Sequence, residues 1–286
     1  MHLTGGKFII DMNIVTVIQA RTSSVRLPNK VLFPLCGEPL LIRMIERVKK
    51  SKFTCNLVIA TSTNKEDDII ENLCKSHKIN CFRGHLTDLL DRHYQLALYY
   101  KADAIVKIPS DCPLIDPGII DKVIGYFVES HPHFDFVSNL HPASYPDGND
   151  VEIMSFGAIE RAWNEASRDF EREHTTPYLW ENPDKFKIGN VLWETGQDFS
   201  STHRWTIDYE EDYQFINRVF DELYHKNPSF GLCEILALIE KRPEIAEINQ
   251  KYAGKYWYEN HLTDLRNINE YKLKIIKNEF RNNSFN

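Results

Sequence analysis

Cations and hydroxyl groups are concentrated in one short segment of the sequence, residues 19–30, which reads QARTSSVRLPNK. Its cationic and hydroxyl side chains are Arg21, Thr22, Ser23, Ser24, Arg26 and Lys30. Fixed positive charges, hydroxyl donors and backbone amides are the groups that bind the oxygens of a polyphosphate. The segment is neither a Walker A motif nor a GxGxxG loop, because residues 13–36 contain no glycine. Two hypotheses are open, an anion-binding loop and a solvated basic surface loop.

The position of this segment favours anion binding. Residues 14–19 read IVTVIQ and predict a buried strand, so the cationic segment begins where that strand ends. A helix follows from Pro39, with apolar residues at 41, 44, 45 and 48. In an open α/β sheet, ligands bind beyond the carboxyl ends of the strands. We therefore expect the segment to face a ligand.

Two aspartates lie at the ends of predicted elements, where a structural role and a role in a site are both open. Asp111 follows a predicted strand at 104–108, and Asp208 precedes a predicted helix at 210–224. Asp111 can shape a turn before Pro113. Asp208 can be the N-cap of the helix, with Glu211 completing a capping box. The residues alone leave these alternatives open.

Strand and helix patterns alternate along the first half of the chain. Apolar runs at 57–60 and 79–82 predict further strands, and helices are expected near 86–100 and 117–128. This alternation predicts a mostly parallel sheet flanked by helices. After residue 130 we expect, among other elements, one helix over 171–181 and a strand over 203–207.

The 286 residues divide into four predicted parts. These are an N-terminal extension (1–12), an α/β domain (13–228), a C-terminal helical appendage (229–262) and a flexible tail (263–286).

Composition excludes several classes of function. The chain carries 34 Lys and Arg against 41 Asp and Glu, a net charge of −7, which disfavours non-specific nucleic-acid binding. No apolar run approaches the roughly 20 residues of a membrane helix. The six cysteines form no CxxC pair and no zinc-type spacing with histidine. We interpret them as reduced thiols and expect a cytoplasmic protein without nucleic-acid or membrane partners.

Several segments resemble one known family. Residues 19–41 resemble the N-terminal signature of CTP-dependent sugar-activating cytidylyltransferases, in particular the SpsF-like branch of spore coat polysaccharide biosynthesis. That branch is related to the acylneuraminate and 3-deoxy-manno-octulosonate cytidylyltransferases. The resemblance extends in order over about residues 13–250, through KIPSDCPLIDP, DLLDRHYQLA, FVSN, YPDGNDVEIMSF, EREHTTPY and HRWTIDYEED. The family loop usually has glycine where this chain has Ser23, and often where it has Asn29.

The resemblance implies a Rossmann-like nucleotidyltransferase that transfers CMP from CTP to an acid sugar, or to a similar hydroxyl or phosphate acceptor, and releases pyrophosphate. The product would serve surface polysaccharide or glycan precursor synthesis. Mg²⁺ would be bound by Asp111 and Asp208, which with Arg21 and Lys30 form the implied catalytic set. The implied nucleotide contacts are Ala20, Arg21, Ser23, Ser24, Arg26, Lys30, Thr61, Arg83 and Ser110.

The acceptor is expected to bind to the middle of the chain. Candidate contacts are Asp147, Asp150, Glu152, Arg172 and His174. His174 can act as a general base if the attacking group is a hydroxyl, although residues 171–175 can also be an exposed helix start. Asp91 and Arg92 are interpreted as an intrahelical ion pair. Because related enzymes are commonly dimers, a homodimer is expected.

Two other functions compete with this one. A nucleotide-sugar glycosyltransferase of similar fold commonly carries a DxD metal motif after a strand, where this chain has Ser-Asp-Cys at 110–112. A non-catalytic nucleotide-binding protein is the other alternative. Ser23 and Asn29 would then be early signs of lost activity.

Overall fold

A computed structural model describes residues 3–4, 7–8, 12–54, 56–255 and 265. Its largest sheet has seven strands, and two small two-stranded sheets accompany it. In chain order the strands are β1 (Leu3–Thr4), β2 (Lys7–Phe8), β3 (Ile14–Gln19), β4 (Pro34–Leu35), β5 (Glu38–Pro39), β6 (Asn56–Ser62), β7 (Asn80–Gly84), β8 (Ala104–Pro109), β9 (Phe136–Ser138), β10 (Glu152–Ser155) and β11 (Ile188–Asn190).

The order of the large sheet is β11-β9-β10-β8-β3-β6-β7. Strand β3 lies between β6 and β8 and is parallel to both, and β7 continues parallel to β6. Only β10 runs antiparallel to its neighbours within this sheet. The prediction of a mostly parallel sheet is confirmed. Because β3, β6 and β8 run in the same direction, the segments that follow them meet at one edge of the sheet.

Helices cover both faces of this sheet and bury a separate apolar core on each. One core receives residues from α1, α4, α8 and α9, and the other receives residues from α3, α5, α6 and α7. In chain order the helices are α1 (Leu40–Val48), α2 (Asp68–Ser76), α3 (Leu89–Tyr100), α4 (Pro117–Glu129), α5 (Phe156–Glu165), α6 (Asp169–His174), α7 (Pro177–Trp180), α8 (Glu210–Leu223), α9 (Leu232–Lys241) and α10 (Pro243–Glu247).

The helix predicted over 171–181 is wrong, because two short helices occupy this region. Thr175 has φ +72°, which ends α6, and Pro177 then begins α7. A right-handed helix cannot continue through a residue with positive φ. Proline is favoured in the first turn of a new helix.

The strand predicted over 203–207 is also wrong. This segment forms one isolated bridge, between Asp147 and Arg204. It passes so close to Gly148 that a Cβ there would lie 2.6 Å from the carbonyl carbon of Trp205, and the φ of Gly148 is +104°. The YPDG turn therefore packs directly on the chain that leads to Asp208.

The four-part division of the chain stays a prediction. Helices α9 and α10 follow residue 228, and Ile235 and Ile245 join the core below α1 and α4. The predicted tail lies outside the described residues except for Leu265. In the part of the chain that the structure describes, every helix is too short or too polar to cross a membrane.

Candidate functional site

A cavity opens at the edge where β3 and β8 end. The segment that follows β3, the segment that follows β8, the first turns of α3 and the end of α6 form its walls. Its lining residues are Gln19, Ala20, Arg21, Ser24, Val25, Arg26, Lys30, Leu89, Arg92, Pro109, Ser110, Asp111, Glu173, His174 and Asp208. The structure therefore brings together many of the residues predicted to bind a nucleotide.

The loop after β3 is held in a fixed curve. The amide and hydroxyl of Thr22 both donate to Asp67 Oδ1 at 2.8 Å, so this hydroxyl is committed to the fold. Asn29 donates its amide to the Thr22 carbonyl at 2.9 Å and adopts a left-handed conformation with φ 60°. Asparagine tolerates this conformation better than most residues. The loop thus forms without a glycine at position 29.

Ser23 does not line the cavity, and its expected contact with the nucleotide stays a prediction. Its side chain is exposed, and it is absent from the residues that line the cavity. It also lies outside the residues with positive φ, so the backbone does not require glycine there. Ser24 is the loop hydroxyl that faces the cavity.

Lys30 joins the two candidate metal ligands. Its ammonium lies 3.0 Å from Asp111 Oδ2 and 3.2 Å from Asp208 Oδ1, and it donates to the Ile207 carbonyl at 2.5 Å. The side chain is about nine-tenths buried. Burial would lower the pKa of Lys30, but the charges of Asp111 and Asp208 raise it above its ordinary value. The ammonium is therefore held charged at the centre of the site.

Asp208 receives three cations. Besides Lys30, it pairs with Arg26 at 2.6 Å and with Arg204 at 3.1 Å. Burial alone would raise the pKa of Asp208, but the charges of Lys30, Arg26 and Arg204 lower it. The carboxylate is therefore ionised and strongly oriented.

The interpretation of Asp208 as an N-cap is wrong. Asp212 on α8 turns back instead, and its Oδ2 accepts from the amides of Asp208 and Tyr209 at 2.9 and 3.0 Å. Glu211, the expected partner in a capping box, pairs with Lys251 at the surface. The Asp208 side chain is thereby left to face Lys30.

Arg204 is the buried support behind Asp208. Its guanidinium binds Asp212 at 3.0 Å and Asp147 at 3.3 Å in addition to Asp208. Asn249, which follows α10, donates its amide to the Arg204 carbonyl at 2.8 Å and to Asp212 Oδ1 at 2.9 Å. The sequence analysis missed Arg204, because its partners are distant in the chain.

Three predicted acceptor contacts lie behind the cavity and do not line it. Asp150 has its pKa raised to about 7 by burial and by the charge of Asp111, and burial and Asp150 raise the pKa of Asp147. Glu152 is a correction: it is buried in β10 and pairs at 2.5 Å with Lys107, its register partner in β8. This ion pair leaves Glu152 inside the sheet.

Other predicted contacts are also occupied by structural partners. Arg172 binds Asp88 Oδ2 at 2.6 Å and the Trp163 carbonyl at 2.7 Å, which ties α6 to the start of α3. Arg83 pairs with Asp68 and Glu71 at 2.6 and 2.8 Å.

Arg172 and Arg83, together with the buried Thr61 of β6, are absent from the residues that line the cavity. Their roles in substrate binding stay predictions.

Arg92 is a cavity residue that the sequence analysis assigned wrongly. Asp91 does not pair with it, since Asp91 Oδ1 accepts from Trp163 Nε1 at 2.9 Å. The Arg92 side chain lines the cavity, and its guanidinium donates to the carbonyls of His85 and Leu86. Residues i and i+1 of a helix do not face each other, so helix geometry already disfavours an ion pair between positions 91 and 92.

Comparison with known proteins identifies the family. The sequence model of the family described as Cytidylyltransferase matches residues 15–251. The spore coat polysaccharide biosynthesis protein SpsF of Bacillus subtilis is 30% identical over 240 residues, which are 82% of this chain and 97% of that protein. A 3-deoxy-manno-octulosonate cytidylyltransferase of Chloroherpeton thalassium is 36% identical over 120 residues, 42% of this chain and 48% of that protein.

A solved structure is also similar over most of the chain. The cytidylyltransferase of Leptospira borgpetersenii superposes with a TM-score of 0.78 at 34% identity and covers 82% of this chain and 97% of its own. The sheet topology and the sequence match therefore both indicate the cytidylyltransferase family.

Proposed function

The chain belongs to the cytidylyltransferase family, and from this premise we propose that it transfers CMP from CTP to an acidic sugar, with release of pyrophosphate. The acceptor class is suggested by relatives named for 3-deoxy-manno-octulosonate and for spore coat polysaccharide. The product would be a precursor of a surface polysaccharide.

One observation carries this proposal. Lys30 lies between Asp111 and Asp208 in a cavity that also presents Arg21 and Arg26. A metal–nucleotide complex needs cations that bind the phosphate oxygens and carboxylates that bind the metal, and this cavity presents both. A solvated basic loop would not bury its lysine.

The two carboxylates fit Mg²⁺. Asp111 Oδ2 and Asp208 Oδ1 both converge on one cation, the ammonium of Lys30, and carboxylate oxygens are the ligands that Mg²⁺ prefers. Among the described residues, no group of three or more acidic, His or Cys side chains forms a complete metal site. Phosphate oxygens of CTP would therefore complete the coordination. When bound, Mg²⁺ would neutralise charge on the phosphates.

The chain's own residues position the reacting groups. An acceptor oxygen attacks the α-phosphorus of CTP, a new P–O bond forms, and the bond to pyrophosphate breaks. Arg21, Arg26 and Lys30 bind the triphosphate and stabilise the charge on the departing pyrophosphate. The two arginines can grip oxygens with two hydrogen bonds each, whereas Lys30 acts as a point charge.

The acceptor approaches from the side of the cavity formed by α6. His174 lines that wall, and it accepts the proton of the attacking hydroxyl if the acceptor is an alcohol. A phosphate or carboxylate nucleophile would need no base. Asp147 and Asp150 do not line the cavity and stay predicted acceptor contacts.

We also propose a homodimer that works in the cytoplasm. Cys36, Cys74, Cys81, Cys112 and Cys233 are free thiols, which suits a reducing compartment. Light scattering coupled to size exclusion would give twice the chain mass, and a monomeric mass would contradict the assembly.

The activity is tested by a pyrophosphate-release screen. Each of the four common nucleoside triphosphates is combined with acid sugars and sugar phosphates, with and without Mg²⁺. We expect release only with CTP, Mg²⁺ and an acid sugar. Calorimetry that shows no Mg²⁺-dependent CTP binding would contradict the proposal.

A further inference from the structure

Arg92 is a buried cation that lines the cavity. Only 1% of its surface is exposed. Its Nε donates to the His85 carbonyl at 2.9 Å and its Nη2 to the Leu86 carbonyl at 2.8 Å. Among the described residues, no carboxylate forms a salt bridge with it and Nη1 makes no hydrogen bond. A buried arginine is rarely left without an anion, because removing its charge from water is costly.

The fold makes room for this guanidinium. Gly84, the last residue of β7, lies against the Arg92 side chain, and a Cβ at position 84 would be 2.8 Å from Arg92 Cγ. A clash at Cγ cannot be relieved by moving only the tip of the side chain. Since the φ of Gly84 is not in the left-handed region, space for Arg92 is what the missing side chain provides.

A hydrogen-bond acceptor also lines this cavity. Gln19 ends β3 and lines the cavity, and its Oε1 is buried without a partner among the described residues. A buried amide oxygen without a donor is costly to the fold. Among the described residues, Arg92 Nη1 lacks an acceptor and Gln19 Oε1 lacks a donor. A ligand that carries an oxyanion and a hydroxyl or amino group could bind to both.

We propose that Arg92 and Gln19 form a subsite for a substrate oxyanion, separate from the Lys30–Asp111–Asp208 cluster, with Arg92 binding the anion and Gln19 accepting from a neighbouring donor. The inference rests on the proposed function. The oxyanion has two possible sources, a phosphate of CTP or the carboxylate of the acceptor.

The electrostatics agree with this geometry. Burial and the charge of Arg21 lower the pKa of Arg92 to about 10, against a smaller opposite effect of Asp67, so the guanidinium remains charged at neutral pH. A bound anion would offset both the cost of burying the Arg92 charge and its repulsion from Arg21. A charge-assisted hydrogen bond in such a setting contributes about 1.5–3 kcal/mol, which corresponds to roughly a 10- to 100-fold change in affinity.

The test compares Arg92→Met and Arg92→Lys with the unaltered protein, and Arg218→Met on the exposed side of α8 is the matched control. Calorimetry measures the Kd of CTP and of inorganic pyrophosphate, and steady-state kinetics measure the KM of the acceptor. Weaker CTP or pyrophosphate binding by about tenfold or more identifies a phosphate as the oxyanion. Unchanged CTP binding with a similarly raised acceptor KM identifies the acceptor.

The proposal is overturned if both Arg92 variants match the unaltered protein in every constant. Gly84→Ala is the second variant, and it should weaken the same constant because it displaces the Arg92 stem. Failure of the proposed function gives a different result, namely an unaltered protein that binds no CTP. In that case the Arg92 subsite is tested with pyrophosphate alone, by the change in melting temperature that pyrophosphate causes. A shift that Arg92→Met abolishes supports the subsite, and the absence of any shift overturns it.

Discussion

Asp111 and Asp208 face the same ammonium group from opposite parts of the chain. Asp111 follows β8 and Asp208 precedes α8, yet each has an oxygen within 3.2 Å of Lys30 Nζ. The two carboxylates are close enough to bind one cation together. The charge of Lys30 offsets their mutual repulsion, Arg204 binds the Asp208 side chain, and Asp212 accepts from the Asp208 backbone amide.

Asp111→Asn should abolish turnover while the protein stays folded. If Asp111 binds the metal as proposed, loss of its charge is expected to reduce kcat by about 100-fold or more. The free energy of unfolding should change by only about 1 kcal/mol, because Lys30 keeps its hydrogen bonds to Asp208 and to the Ile207 carbonyl. Kinetics and urea unfolding measure the two quantities, with the exposed Asp221→Asn as control. Equal losses of activity and stability would instead mark Asp111 as a turn residue.

Ser23→Gly should leave CTP affinity nearly unchanged. The Ser23 side chain is exposed outside the cavity, and its backbone has no positive φ that glycine would relieve. We expect the Kd of CTP to stay within about twofold, since surface substitutions of this kind have small effects. Calorimetry on the two proteins decides it. A tenfold gain in affinity would show that the serine obstructs the phosphates.

The parallel sheet and the loop after β3 were predictable because their signals are local. An apolar run and a change to cationic residues lie within a few positions of each other. The roles of Arg83, Arg92 and Arg172 were not predictable in the same way. Each of these arginines is positioned by partners that only the folded chain brings close, such as Asp88 for Arg172. An arginine next to an aspartate in sequence does not reveal which carboxylate it binds.

Gly148→Ala should destabilise the protein strongly. The φ of +104° is unfavourable for alanine, and the new Cβ would clash with the backbone of Trp205 and Thr206. We expect a loss of at least about 2 kcal/mol in unfolding free energy. Gly157→Ala is the matched control, since nothing lies within 4 Å of a Cβ there and the residue is helical. Equal stability of the two variants would contradict the close approach at Gly148.

His93 should make the protein less stable in acid. Burial, with Lys107 and Arg92, lowers the pKa of this fully buried imidazole from 6.5 to about 3. Between these values the unfolded chain binds a proton that the folded chain does not. Stability therefore falls as the pH drops from about 6.5 toward 3, by up to about 1.4 kcal/mol per pH unit.

The comparison is with His93→Phe, which keeps a ring but cannot titrate. Urea unfolding at several pH values between about 7 and 5 gives the slope of stability against pH for each protein. The slope should be smaller in the variant. Parallel curves would mean that His93 is protonated in the folded protein.

The side-chain amide of Asn249 binds Arg204 and Asp212, and Arg204 in turn binds Asp208, the proposed magnesium ligand. A version that ended directly after α10 would keep the core residue Ile245, yet the support behind Asp208 would be weakened. If Asp208 binds the metal as proposed, thermal stability of such a truncated protein would not report on its activity.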